Sequence, residues 1–183
     1  MPSQHREGFV LWFTGLPGVG KSTLAQGLSA RLKAEGHRTY VLDGDILRTG
    51  LSQDLGFSAS NRHENIRRAG HVAKILVDAG VIVLAAFITP FADDRKMLRR
   101  LFSPKQFSEI FLDCPLEICR QRDPKKLYRK AESGLIPEFT GISSPYEEPT
   151  QPDLRIPTHL MSAEQSLQVL WEFIQTHYDG NSG

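Results

Sequence analysis

The segment Gly15-Leu16-Pro17-Gly18-Val19-Gly20-Lys21-Ser22-Thr23 contains the parts needed to hold a polyphosphate. Its spacing is G-x-x-x-x-G-K-S. The glycines let backbone N–H groups converge on one anion, and a helix starting behind them adds partial positive charge. Lys21 is spaced to reach the β- and γ-phosphates, and the Ser22 hydroxyl to ligate Mg²⁺. A second polar group follows at Asp43-Gly44-Asp45, with Arg48 three residues on. A carboxylate at Asp43 suits the same Mg²⁺ or an acceptor hydroxyl, which it can orient and deprotonate as a phosphoryl group moves. Asp45 fits the N-cap of a following helix and can still face a ligand.

These groups must be brought together by the elements around them. Gly8 to Thr14 is a continuous apolar run, the pattern of a strand buried on both faces. Lys21 to Glu35 carries Leu24, Ala25, Leu28 and Leu32 at helical spacing and is closed by Gly36. Thr39 to Leu42 reads as a second strand, Asn61 to Ala79 as a helix ending at Gly80, and Val81 to Ile88 as a third strand stopped by Pro90. A helix over Asp93 to Phe102, a strand over Phe107 to Leu112 and a helix over Pro115 to Arg122 follow. Leu154 to Ile156 suits a short last strand. Ser162 and Gln165 then make a capping box before a final amphipathic helix.

Strands alternating with helices predict an α/β fold with a mostly parallel sheet covered on both faces. With the phosphate loop in place, this is the three-layer P-loop NTPase type. In a parallel sheet, ligands lie beyond the C-terminal ends of the strands, so the Asp-Gly-Asp tip is expected beside the phosphate loop. Residues 123–153 break the rhythm, with five of the chain's eleven prolines plus Gly134 and Gly141. A connection this long suggests a functional lid within one domain spanning 1–183.

The bulk properties narrow the partners. A chain of 183 residues with net charge +1 has no global field to draw it onto nucleic acid or a membrane. No apolar run approaches the ~20 residues of a membrane span, and residues 1–8 carry no signal core. Cys114 and Cys119 lie in apolar surroundings and read as buried and inert, so the expected setting is the reducing cytoplasm. Trp12 and the histidines carry no signal separable from packing or surface. The phosphate loop fixes a nucleotide polyphosphate as one ligand and leaves two classes open: a small-metabolite kinase, or a nucleotide-driven module acting on a protein. No N-K-x-D guanine-reading tetrad is present, and the lid and second polar cluster favour the kinase.

Two longer blocks are more specific. DGDILRTGLSQDLGFSASNRHENIRRAGHVAK and RDPKKLYRKAESGLIPEFTGISSPYEEP closely resemble the adenylylsulfate (APS) kinases, and with the phosphate loop the resemblance covers about residues 8–175. It implies transfer of the γ-phosphate of MgATP to the 3′-hydroxyl of adenosine 5′-phosphosulfate (APS), a homodimer with a mobile lid, and possible docking on the ATP sulfurylase that supplies APS. By the same resemblance, Phe57 and Phe139 sandwich the substrate adenine, and Arg48, Arg62 and Asn65 contact its polar groups. Ile88, Thr89 and Leu127 also line the substrate, Lys125 stands near the transferred phosphate, and Arg122 packs near the ATP base.

The chain departs from the family pattern in three places. The usual I-S-P is Ile88-Thr89-Pro90, so threonine replaces a serine that serves some members as a phosphoenzyme nucleophile. Direct in-line transfer, with Thr89 lining the site, is the expectation. The lid's usual R-D-P-K-G-L-Y has Lys126 where the family has glycine, which is expected to stiffen the lid. No cysteine precedes Cys114, which argues against the N-terminal redox switch of plant members.

Overall fold

The computed structural model describes residues 7–179; residues 1–6, which fall within the stretch read above as lacking a signal core, lie outside it. Strands β1 (Val10–Thr14), β2 (Thr39–Asp43), β3 (Ile82–Ala86), β4 (Phe107–Asp113) and β5 (Leu154–Pro157) form one sheet in the order β2-β3-β1-β4-β5. Every pairing is parallel. Alternate residues of β1 feed the two faces. Leu11 and Phe13 join a core with Leu24, Leu28 and Leu32 of helix α1 (Lys21–Ala34) and Leu170 of the last long helix. Val10 and Trp12 join a second core with Ile66, Ala69 and Ala73 of α3 (Ala59–Asp78) and Leu98 of α4 (Ala92–Leu101). Both faces are dry, which is why the strands read as unbroken apolar runs.

The helix ends follow their sequence signals. Gly36 adopts φ 83° beyond α1, where its N–H bonds Lys33 O and the N–H of His37 bonds Leu32 O. That pair of bonds is a Schellman cap. The Ser162–Gln165 capping box forms at the start of α7 (Ala163–Ile174). Pro115 precedes α5 (Leu116–Arg122) as its cap rather than sitting in its first turn.

Three expectations need correcting. The third strand stops at Ala86, and Phe87 to Pro90 form a turn in which Thr89 has φ 47°. A short helix α2 (Gly44–Arg48) follows β2 directly, and its N-cap is Asp43, not Asp45: the Asp43 carboxylate accepts from the N–H of Asp45. The segment 123–153 holds a further helix, α6 (Leu127–Glu132), and a tight turn in which Phe139 O accepts from the N–H groups of Ile142, Ser143 and Ser144. Proline and glycine content made that segment look irregular. Asp123, which accepts from the N–H groups of Tyr128 and Arg129, supplies the helix start that composition hid.

Candidate active site

The loop between β1 and α1, the tip of β2, the first turns of α3, the turn after β3 and the start of the lid enclose a cavity of about 350 Å³. The parallel order makes this possible. Asp43 pairs in register with Ala86 on β3, and β3 in turn neighbours β1, so three strand tips open on the same side.

In the phosphate loop, a Cβ on Gly15 would lie 2.8 Å from Leu112 O, so only glycine lets the loop turn this close to β4. Gly20 precedes α1 with φ 104°, a left-handed conformation that side chains disfavour. Lys21 Nζ donates to the carbonyls of Gly15 (2.9 Å) and Leu16 (2.8 Å). Burial pulls its pKa down to about 7, partly offset by the carboxylates of Asp45 and Asp43. Ser22 Oγ donates to Asp43 Oδ2 at 2.5 Å, so the two proposed metal ligands already converge. They are hard oxygen donors of the kind Mg²⁺ accepts, and among the described residues no three His, Cys, Asp or Glu side chains cluster as a metal cage. That fits an ion that keeps most of its coordination on phosphates and water.

Asp45 points to solvent and its Oδ2 pairs with Lys125 Nζ at 2.9 Å, which joins the lid to the β2 tip. The Asp45 carboxylate raises the Lys125 pKa. Elsewhere on the lining, Arg48 and Arg62 both stand over Phe57, with guanidinium carbons 4.2 and 5.5 Å from its ring centre. Both arginines hold the Phe57 loop by its carbonyls: Arg48 Nη1 donates to Gly56 O and Arg62 Nε to Phe57 O. Burial lowers both arginine pKa values, and in Arg62 the Arg48 charge adds to the effect. Phe57 itself is 48 % exposed, while Arg62 and Asn65 are buried on one face of α3. Asn65 Oδ1 has no hydrogen-bond partner, an orphan acceptor on the cavity wall.

Of the other residues singled out by sequence, Pro17, Gly18, Thr23, Ile88, Thr89, Lys125 and Leu127 line the cavity. Phe139 does not: it is buried with its ring edge-on to Tyr128, centroids 5.1 Å apart. The Phe57–Phe139 sandwich is therefore not assembled in this conformation. Arg122 lies outside the lining as well, its Nη2 donating to Thr158 O at 3.4 Å. The Thr89 hydroxyl is 2.9 Å from Trp12 Nε1 and accepts from it, so it turns into the core rather than toward a phosphate. Cys114 and Cys119 are free and buried, and burial pushes the Cys119 thiol up to about 12.

Sequence reasoning missed three contributors. Trp12 looked like packing, yet it holds Thr89. Tyr128 is buried in α6 and donates from its hydroxyl to Pro17 O at 2.8 Å, tying the lid to the phosphate loop. Its position in RDPKKLY was the available signal. Arg95 lies in the charged helix predicted over Asp93 to Phe102 and carried no signal of its own, but it is 4 % exposed and donates to Thr89 O.

Comparison with known proteins agrees with this geometry. The sequence model of the adenylylsulphate kinase family matches residues 7–157. The adenylyl-sulfate kinase of Geotalea uraniireducens is 54 % identical over 171 residues, covering 93 % of this chain and 82 % of that one. The APS kinase of Mycobacterium tuberculosis, solved in complex with AMPPNP and APS, superposes with a TM-score of 0.88 at 45 % identity, covering 92 % of this chain and 98 % of that one. A hexameric APS kinase from Thiobacillus denitrificans superposes with a TM-score of 0.69 at 32 % identity over 96 % of this chain and 30 % of its own. The family match runs from β1 through the phosphate loop, the Asp43 tip and the lid to β5, and the chain belongs to the adenylylsulphate kinase family.

Proposed function

We propose that this cavity transfers the γ-phosphoryl group of MgATP directly to the 3′-hydroxyl of APS, giving 3′-phosphoadenosine 5′-phosphosulfate and ADP. The observation that carries the reading is the joining of two half-sites in one cavity: a phosphate loop whose Ser22 meets Asp43, and an acceptor wall of Phe57 with Arg48 and Arg62 over its ring. The 3′-oxygen attacks the γ-phosphorus in line, the bond to the β-phosphate oxygen breaks, and the hydroxyl proton passes to Asp43. The residues that would hold Mg²⁺ are Ser22 and Asp43; when bound, the ion neutralises charge on the β- and γ-oxygens.

The remaining steps belong to the protein. Lys21 leaves the loop carbonyls for the β- and γ-phosphates. Phe57 stacks on the acceptor adenine, a contact worth about 1–3 kcal/mol per base. The guanidinium forks of Arg48 and Arg62 suit sulfate and phosphate oxygens, and Asn65 Oδ1 offers a vacant acceptor to a ligand donor. Lys125, released from Asp45, follows the transferred phosphate, and Phe139 reaches the adenine only if the lid segment 123–153 rearranges. Arg122 takes the ATP base. The chain acts as one domain and as a homodimer in the cytoplasm, with ATP sulfurylase as a docking partner. An oligomer is supported by the hexameric relative, and among the described residues no helix is long and apolar enough to cross a membrane.

The test is ADP formation by the purified protein with and without APS, with the phosphorylated nucleotide identified by mass spectrometry. ADP release strictly dependent on APS is expected. Turnover indifferent to APS would overturn the reading.

A further inference from the structure

The turn after β3 has an unfavourable backbone, and its clamp comes from the far end of the lid. Thr89 holds φ 47°, which is rare for a β-branched residue and persists only where the surroundings enforce it. The last three carbonyls of the turn are all engaged. Ile88 O accepts from Thr14 Oγ1 at 2.6 Å, Thr89 O from Arg95 Nη1 at 2.8 Å, and Pro90 O from the N–H of Glu147 at 2.8 Å. Glu147 closes the circuit: its carbonyl accepts from Arg95 Nη2, and its carboxylate accepts from the N–H of Ala92 at 2.7 Å. That last bond serves the start of α4, whose N-cap residue Phe91 supplies no side-chain cap. Tyr146 OH lies 2.9 Å from Thr14 Oγ1; that hydroxyl's hydrogen goes to Ile88 O, so the tyrosine donates. Arg95 is balanced by Glu109, 3.6 Å away and also buried.

We propose that Arg95 and Glu147 are positioning residues for the acceptor substrate: together they hold the Ile88–Thr89–Pro90 edge in its strained form and lock the lid's returning segment against it. This rests on the phosphotransfer reading above, because the edge lies beside Asp43 in the cavity that also contains Phe57, Arg62 and Asn65. It gives the Ser144–Glu147 end of the lid a task that its sequence alone does not supply. The clamp meets the phosphate loop only at its first residue, where the N–H of Gly15 donates to Ile88 O at 3.4 Å, and no bond reaches residues 16–23, so its effect is expected on the acceptor side.

The experiment compares wild type with Glu147→Ala, Glu147→Gln and Arg95→Lys in steady-state kinetics with each substrate varied, alongside hydrogen–deuterium exchange of peptides covering 88–95 and 140–147. For Glu147→Ala, KM for APS rises about five- to tenfold, the net worth of one hydrogen bond, while KM for ATP stays within about twofold and exchange in both peptides accelerates. Glu147→Gln stays near wild type, because its amide oxygen still accepts from Ala92. Arg95→Lys keeps the charge beside Glu109 but loses the fork, and shows the same split as Glu147→Ala. Equal rises in both KM values, a Gln variant as impaired as Ala, or unchanged exchange would each overturn the clamp. If the wild type makes ADP indifferently to APS, the phosphotransfer reading falls, and the exchange comparison still decides whether the clamp exists.

Discussion

Ser22 Oγ donates to Asp43 Oδ2 at 2.5 Å while Asp43 Oδ1 accepts from the N–H of Asp45 at 2.9 Å, so one carboxylate both faces the phosphate loop and starts helix α2. Asp43→Asn separates these roles. The amide oxygen can still cap α2, so the fold survives. The negative charge and the proton acceptor are lost, and kcat should fall about 10²–10⁴-fold. Titration calorimetry should still detect ATP, because Lys21 and the loop amides are intact. Near-normal turnover would remove Asp43 from the proton transfer.

Lys21 makes a pH prediction with a definite sign. Its folded pKa of about 7 lies below its ordinary value of 10.5, so between these limits the unfolded chain binds the proton and the folded chain does not. The ligand-free protein therefore gains stability from this group as pH rises from about 7 to about 10. Polyphosphate beside Nζ restores the charge. At about pH 8, ATP binding should take up close to one proton, measured by calorimetry in buffers of different ionisation enthalpy. Lys21→Met should abolish that uptake; an unchanged value would place the proton elsewhere.

The fold and half the site were legible because their signals are local. Apolar runs, glycine caps and the G-x-x-x-x-G-K-S spacing each act within a few residues, and β1, α1, α3 and α4 follow them closely. What was hidden depends on contacts between distant residues. Trp12 reaches Thr89 and Tyr128 reaches Pro17 across 77 and 111 positions. Asp43 takes the cap expected of Asp45 because β2 runs one residue further than its apolar run. Phe139, placed at the adenine by resemblance, instead packs on Tyr128, an arrangement no spacing encodes.

Thr89→Ala tests the turned-in hydroxyl. It leaves the Trp12 indole N–H buried without an acceptor, so thermal unfolding should show a loss of about 1–3 kcal/mol. APS-dependent turnover should persist, since the hydroxyl faces the core and not the phosphates. Loss of turnover in a folded variant would restore the phosphoenzyme route.

Phe57→Ala removes the half-exposed ring that Arg48 and Arg62 contact. Loss of about 1–3 kcal/mol of stacking corresponds to roughly a five- to 150-fold rise in KM for APS. ATP affinity should hardly change, because Phe57 lies on the acceptor wall. Parallel losses for both substrates would move Phe57 out of the adenine site.

Lys126, expected from the family resemblance to stiffen the lid, holds an unfavourable backbone conformation. It adopts φ 56° and ψ 26° just before α6, closing a turn in which its N–H bonds Asp123 O at 3.0 Å. A non-glycine residue costs about 1–2 kcal/mol in this left-handed region. Glycine would remove that cost but gain freedom in the unfolded chain, so Lys126→Gly should stabilise by only about 0.5–1 kcal/mol. For a domain of this size that is a rise in Tm of roughly 1–4 °C. The side chain is exposed, and Lys125 and Tyr128 keep their own partners, so any accompanying rise in kcat would come from easier lid motion. A lowered Tm would mean that the lysine makes a contact outweighing its strain.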